Sequence, residues 1–263
     1  MCATTVEFKN CPLEEVVFDI HFDSIPDFKF TDFGKIANLY TGDFPKIREM
    51  PPIPSQIEPF DAPPQVQQFQ VQVGQSPQTP RLWLLAEDEA SLVQFQSDRF
   101  IFNWRCQNQQ NAYPSFEELF PQYKDLVCKL SESIKQHFRC ELRVRQIELR
   151  YINQISHGEL ARLEDVFTFL ETPLQKLEGF EASFGELIVD EMGHPNGRLV
   201  CELRSGFVET DDHWLSLTVR ARPTSLDMAD VFEAFNRAHR KIVESFVSLT
   251  TEKAHKIWEK VDG

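Results

Sequence analysis

IELRYINQI, residues 147–155, is the stretch on which the fold turns. Ile147, Leu149, Tyr151 and Ile155 alternate with Glu148, Arg150 and Gln154. Successive side chains of a strand point to opposite faces, so this period of two predicts a half-buried strand. Asn153 breaks the rule by placing an amide on the apolar side. It stands just before Ser156, His157 and Gly158, where the strand is expected to stop. An asparagine there bonds neighbouring backbone groups. That structural role is preferred for Asn153, with contact to a ligand as the alternative.

The same pattern occurs earlier. In EEVVFDIHF (14–22), Val16, Phe18, Ile20 and Phe22 share one face, opposite Glu15, Asp19 and His21. A short helix is expected next, from Phe33, Ile36, Ala37 and Tyr40, with Thr31 or Asp32 as its cap. FPKIREMPPIPSQIEPFDAPP (44–64) then concentrates proline, which lacks an amide donor and fixes φ, so it reads as an extended connector. Strands are predicted at 66–73, 81–86, 91–96 and 99–106, with short gaps that favour antiparallel pairing. A long helix opens at Ser115, with Glu118 completing a capping box and Phe116, Leu119, Tyr123, Leu126, Leu130, Ile134 and Phe138 forming its apolar stripe.

Residues after 141 repeat that order. The strand at 147–155 is followed by a helix over LARLEDVFTFLE, stopped before Pro173. Strands EASFGELIVDE, GRLVCELRSGFV and HWLSLTVRARP follow, the first two joined by the turn MGHPNGR. A second long helix starts near Ser225 or Asp227, with Val231, Phe235, Ala238, Ile242 and Phe246 as its stripe. Phe235, Ile242 and Phe246 are expected against the second-half sheet, with His239 at the rim. Thr250 or Thr251 caps a last short helix carrying Trp258. The expectation is an α+β fold: antiparallel sheet covered by two long helices, with internal duplication of a β-α-β-β-β-α unit. Its halves are 1–141 and 142–263, packed as one unit.

Composition narrows the function classes. Acidic residues outnumber basic ones 41 to 27, for a net charge of −14. Gripping phosphates needs clustered Lys and Arg, so nucleic-acid binding is disfavoured. An acidic surface instead suits a basic partner or simple solubility. Six cysteines are scattered without a CxxC pair, which reads as reduced thiols. MCATTVEFKNCPLEE has neither the basic nor the apolar region of a signal peptide, and no apolar run approaches a membrane span. A cytoplasmic location is expected.

Four segments carry a resemblance: CPLEEVVFDIHF, FIFNWR followed by YPSFEELF, ELRYINQI, and FNRAHRKIVESFVSLTTEKAHKIWE. Together they resemble a sporadically distributed prokaryotic family of uncharacterised proteins of similar length, in the same segment order. The resemblance implies no catalytic residue. A patchy distribution implies mobile genes, such as defence cassettes.

No phosphate-cradling glycine loop, no HExxH and no GxSxG elbow is present, so no cofactor is expected. Asp190, Glu191 and His194 cluster in a turn, where solvation explains polar residues better than a metal does. His239 and His255 are not at the i, i+4 spacing of a ligand pair. A histidine beside a core stripe is ordinarily packed and hydrogen-bonded. Asn103 and Arg105 lie on one side of their strand, opposite Phe100, Phe102 and Trp104. With Arg150, Arg204, Arg220 and Arg222 they could clamp an anion. Cross-strand pairing with Glu148, Glu202 or Glu209 on an exposed face is the preferred reading. Cys201 reads as a small core residue. The leading expectation is a non-enzymatic binding or assembly protein of a prokaryotic accessory system. Its partner would be a protein, or a second copy in a homodimer. The candidate ligand contacts are Asn103, Arg105, Arg150, Asn153 and His239. The alternatives are an enzyme of unrecognised type using Arg and His on the sheet, and an acidic immunity protein that neutralises a basic partner.

Overall fold

The computed structural model describes residues 6–54, 57–62, 80–106, 113–156, 158–160, 162–170, 179–206 and 212–262. The expected strand at 66–73 and Glu209 lie outside these residues. The chain is α+β, and nine strands form one antiparallel sheet. The first-half strands are β2 (Leu13–Phe22), β3 (Lys46–Met50), β4 (Arg81–Leu85), β5 (Ser91–Gln96) and β6 (Arg99–Arg105). Those of the second half are β7 (Val144–Ile155), β8 (Phe180–Val189), β9 (Pro195–Ser205) and β10 (His213–Ala221). Their order is β3-β4-β5-β6-β2-β7-β10-β9-β8. Strands from both halves therefore share one sheet, and the joint is the pairing of β2 with β7. Outward from that joint, each side runs back through its own meander, β6-β5-β4-β3 beyond β2 and β10-β9-β8 beyond β7. A small separate sheet pairs β1 (Val6–Phe8) with β11 (Lys260–Asp262).

The helices are α1 (Phe33–Ala37), α2 (Phe116–Phe138), α3 (Leu163–Val166), α4 (Met228–Leu249) and α5 (Glu252–Ile257). Ser115 Oγ accepts from the Glu118 amide at 3.2 Å, which satisfies one of the free donors of the first turn of α2. Asp227 does the same for Ala229 in α4, and Thr251 for Ala254 in α5. Asp32 differs from expectation: its carboxylate accepts from the Lys29 amide behind it and from Lys35, so it closes a preceding turn rather than capping α1. Trp258 follows α5 instead of lying within it.

Two further expectations change. The helix read over LARLEDVFTFLE is only four residues long. Phe167 turns extended and bridges Thr250, and the Thr168 amide donates to Leu249, so pairing with the end of α4 outcompetes the helix. The connector, in turn, contains a true strand. Lys46–Met50 pairs with β4; Pro45 stands just before it and the next proline is Pro51, so no residue of the strand lacks its amide.

Alternation gives the sheet two chemically different faces. Val16, Phe18, Ile20, Phe100, Phe102, Leu149, Cys201, Leu217 and Val219 belong to the apolar one, and all are buried. Phe18 is its hub. Its ring lies 5.0 Å from Tyr123 and 6.0 Å from Phe120 on α2, and 5.9 Å from Phe235 on α4. Phe235 was expected against the second-half sheet. α4 does pack on β7 and β10, and the Phe235 ring also meets Phe18 of β2 and Phe120 and Tyr123 of α2, because β2 sits beside β7 at the centre. Phe246 packs on Phe8 and Trp258, at the small sheet. At the far end of the β9–β10 pair, a Cβ on Gly197 would stand 2.8 Å from the Arg220 carbonyl, so that close approach needs a glycine. Among the described residues, no helix is long and apolar enough to cross a membrane.

Candidate functional site

The other face of the sheet is polar, yet much of it is buried. Register places the polar residues in rows. One row runs Gln94, Ile101, Asp19, Glu148, Arg220, Arg198 across six strands. Asp19 and Glu148 are directly opposed, a repulsive arrangement unless cations intervene. They do. Arg99 Nε approaches Asp19 at 2.9 Å, and Arg220 Nε donates to Glu148 at 2.6 Å. Arg150 closes on the other Glu148 oxygen at 2.7 Å. Burial raises the Glu148 pKa, but the Arg150 and Arg220 charges and the Arg220 hydrogen bond outweigh it and hold the carboxyl at about 2. Arg99 also donates to His21 Nε2 at 2.7 Å. A guanidinium cannot accept, so Nε2 is the acceptor in this contact.

The proline-rich connector is tied across this face. Gln96 exchanges hydrogen bonds with Ile53, and the Glu58 amide donates to Gln146. The Glu58 carboxylate lies 2.6 Å from Arg198 and 3.3 Å from Arg220. Arg222 donates to the Glu58 carbonyl and lies over the Phe60 ring. Sequence reading anticipated cross-strand ion pairs on an exposed face. The pairing with Glu148 is found, but Glu148 is only 5 % exposed, because side chains across the row and the connector exclude water. Arg204 pairs with Glu181 of β8 rather than with Glu202.

The five candidate residues divide between the faces. Asn103 and Arg105 both donate to Glu15, at 2.7 and 3.0 Å. Arg150 is two strands from Asn103 in the same row, with Val17 between them. Asn153 and His239 belong to the apolar side. Asn153 is buried and donates to the Leu215 carbonyl of the neighbouring strand at 3.1 Å, a backbone role as expected, but across the ladder. His239 stacks on Phe116 at 4.0 Å, and its Nδ1 is 2.9 Å from the Tyr151 hydroxyl. Tyr151 reaches Tyr113 at 3.3 Å. Burial pulls the His239 pKa down to about 4, against the opposing pull of Glu117, so the ring is neutral at pH 7. His239 thus works with a phenol, not with an arginine of the sheet.

The turn between β8 and β9 gathers on Asp190, which accepts from the amides of Met192 and His194 at 2.9 and 2.8 Å. Among the described residues, no group of His, Cys, Asp and Glu could hold a metal ion.

The outer edges of the sheet differ most. β3 ends one side with five residues, KIREM, three of them charged. Lys46 and Arg48 lean back onto Glu89 at 3.2 and 3.1 Å. β8 ends the other side with ten residues, FEASFGELIV, seven of them exposed and three half-buried. Phe184, Leu187 and Val189 on it, Met192 just past it and Phe169 beside it are all exposed large apolar side chains. Phe169 and Phe184 meet edge to face at 6.0 Å. Sequence reading singled out none of these residues. The alternation in EASFGELIVDE announced a strand, but which strand would be last in the sheet is not written locally. No protein-family model matches the chain, and no curated protein does.

Proposed function

We propose that this chain is a binding or assembly protein built by internal duplication, and that the edge of β8, open among the described residues, is its working surface. Each half would be one β-α-β-β-β-α unit whose long helix lies over its strands. The strand order supports this, since β2 and β7 hold matching places at the centre. The aromatic contacts of Phe18 with α2 and α4 support the helix placement. The single observation that carries the functional reading is the β8 edge. A long edge strand presents unpaired amides and carbonyls, and proteins ordinarily blunt it with lysine, proline or brevity. Residues 180–188 contain neither lysine nor proline, and they expose the large apolar side chains of Phe184 and Leu187. Such an edge receives another strand, main chain to main chain. The resemblance to a sporadic prokaryotic family fits an accessory-system role for such an assembly.

The reading is tested by placing a photoreactive phenylalanine at Leu187 and irradiating cells that express the chain. A discrete covalent adduct with one protein is expected, with none from the same probe at Ile47 on β3. Absence of an adduct at position 187, or the same ladder from both positions, overturns it.

A further inference from the structure

The occupant of the β8 edge follows from the strand itself. We propose that it is a second copy of this chain, joined antiparallel across a twofold axis through Phe184; this rests on the edge reading above. A twofold interface is isologous, so a strand that pairs with itself must be compatible with its own reversal. β8 is regular from Phe180 to Ile188, and its ladder is broken by a bulge between Ile188 and Val189. The midpoint of that regular stretch is Phe184. Reversal about Phe184 uses all of it: Phe180 meets Ile188, Ala182 meets Glu186, and Phe184 meets its own copy. On the other side of the pleat, Glu181 meets Leu187 and Ser183 meets Gly185. Parity is respected, since each residue faces one from the same side of the strand.

Charge is compatible as well. No carboxylate opposes another in this register. Moving the axis to Glu186 would stack two glutamates, which like-charge repulsion disfavours. The two acids of the strand are already neutralised within the chain. Lys241 donates to Glu186 at 2.6 Å, and Arg204 donates to Glu181 at 3.0 Å. The net charge of −14 therefore does not concentrate at this edge. The two Phe184 rings meet on the axis, with Phe169 of each copy behind them. The molecule already shows what an outermost strand accepts. At the opposite end, β3 completes β4 by antiparallel pairing. The matching position beyond β8 is open among the described residues.

The experiment combines hydrodynamics with a register test. Sedimentation equilibrium at tens of micromolar should give a particle of twice 30.6 kDa, and Phe184→Glu should give 30.6 kDa with an unchanged melt. Residues paired on the axis lie about 5 Å apart, within reach of a disulfide. Under mild oxidation Phe184→Cys should link to itself. Leu187→Cys should not, since its copies would sit about 20 Å apart along the strand. The parent chain oxidised in parallel sets the baseline for its own cysteines. A chain that stays monomeric at every concentration overturns the second-copy proposal, as does self-linking at Leu187→Cys but not at Phe184→Cys. If a Leu187 photoadduct with a different protein persists in that case, the edge still binds, but not a second copy. If Phe184→Glu fails to fold, the wild-type dilution series and the cysteine pair decide alone.

Discussion

The two faces of the sheet are both largely shut off from water, yet different forces hold them. On the apolar face, Phe18 gains from every ring around it, and the gain is proportional to area and indifferent to direction. On the polar face, Asp19, Glu148 and Glu58 lost their hydration on folding, and each regained it only through an arginine at a definite distance. Arg99 and Arg198 approach their carboxylates closely but too obliquely for a linear hydrogen bond. The apolar face therefore supplies most of the stability, while the polar face specifies alignment between strands and of the connector over them.

That contrast can be broken by substitution. Phe18→Ala should cost about 3–5 kcal/mol in urea unfolding, since it leaves a cavity bordered by strands and two helices. A loss below about 1 kcal/mol would show that the hub is not where the core is anchored. The next largest effect should come from pH. His239 has a folded pKa near 4 against 6.5 unfolded, so the unfolded chain takes the proton first. Stability should be full above pH 6.5 and fall between 6.5 and 4, by on the order of 3 kcal/mol. His239→Gln should remove that slope; a wild-type curve flat down to pH 4.5 would refute it.

The polar face should respond in a different pH window. Glu148 has a depressed pKa, so its contribution is present above about 4.5 and drains away only as pH falls toward 2. Glu148→Leu at pH 7 should cost about 2–3 kcal/mol, less than a fully buried pair because Arg150 and Arg220 retain 34 % and 24 % exposure and can rehydrate. Adding Arg220→Met should restore part of that loss, since an apolar pair needs no partner. Strict additivity of the two changes would show that the pair is uncoupled. Smallest of all should be Arg204→Ala, below about 1 kcal/mol, because its bridge to Glu181 is exposed. A larger effect in the monomer would mean that the β8 edge is structurally braced.

Much of the fold was legible. The period of two in 14–22 and 147–155 named both central strands, and the three-and-four spacing of Leu119, Tyr123, Leu126 and Leu130 named α2. The helix over 160–171 was misread because Phe167 and Thr168 serve a remote partner at the end of α4, which local pattern cannot register. The candidate site was less legible. Glu148 was named among the cross-strand partners of the arginines, but its burial depends on Arg220 and on Glu58, the latter from a connector about ninety residues away. His239 was flagged as a packed histidine, but its phenol partner was not foreseen.

By itself the sequence determined which residues share a face, because alternation and helical spacing are set by backbone geometry alone. It also determined the caps of α2, α4 and α5, which are local hydrogen bonds between near neighbours. The tertiary structure alone decided that β2 and β7 meet at the centre, and that polar residues on one face are buried in opposed rows. It alone decided that β8 is left at an edge. Those outcomes depend on which strands become neighbours, and strand adjacency is a contest among all possible pairings of the whole chain rather than a property of any one segment.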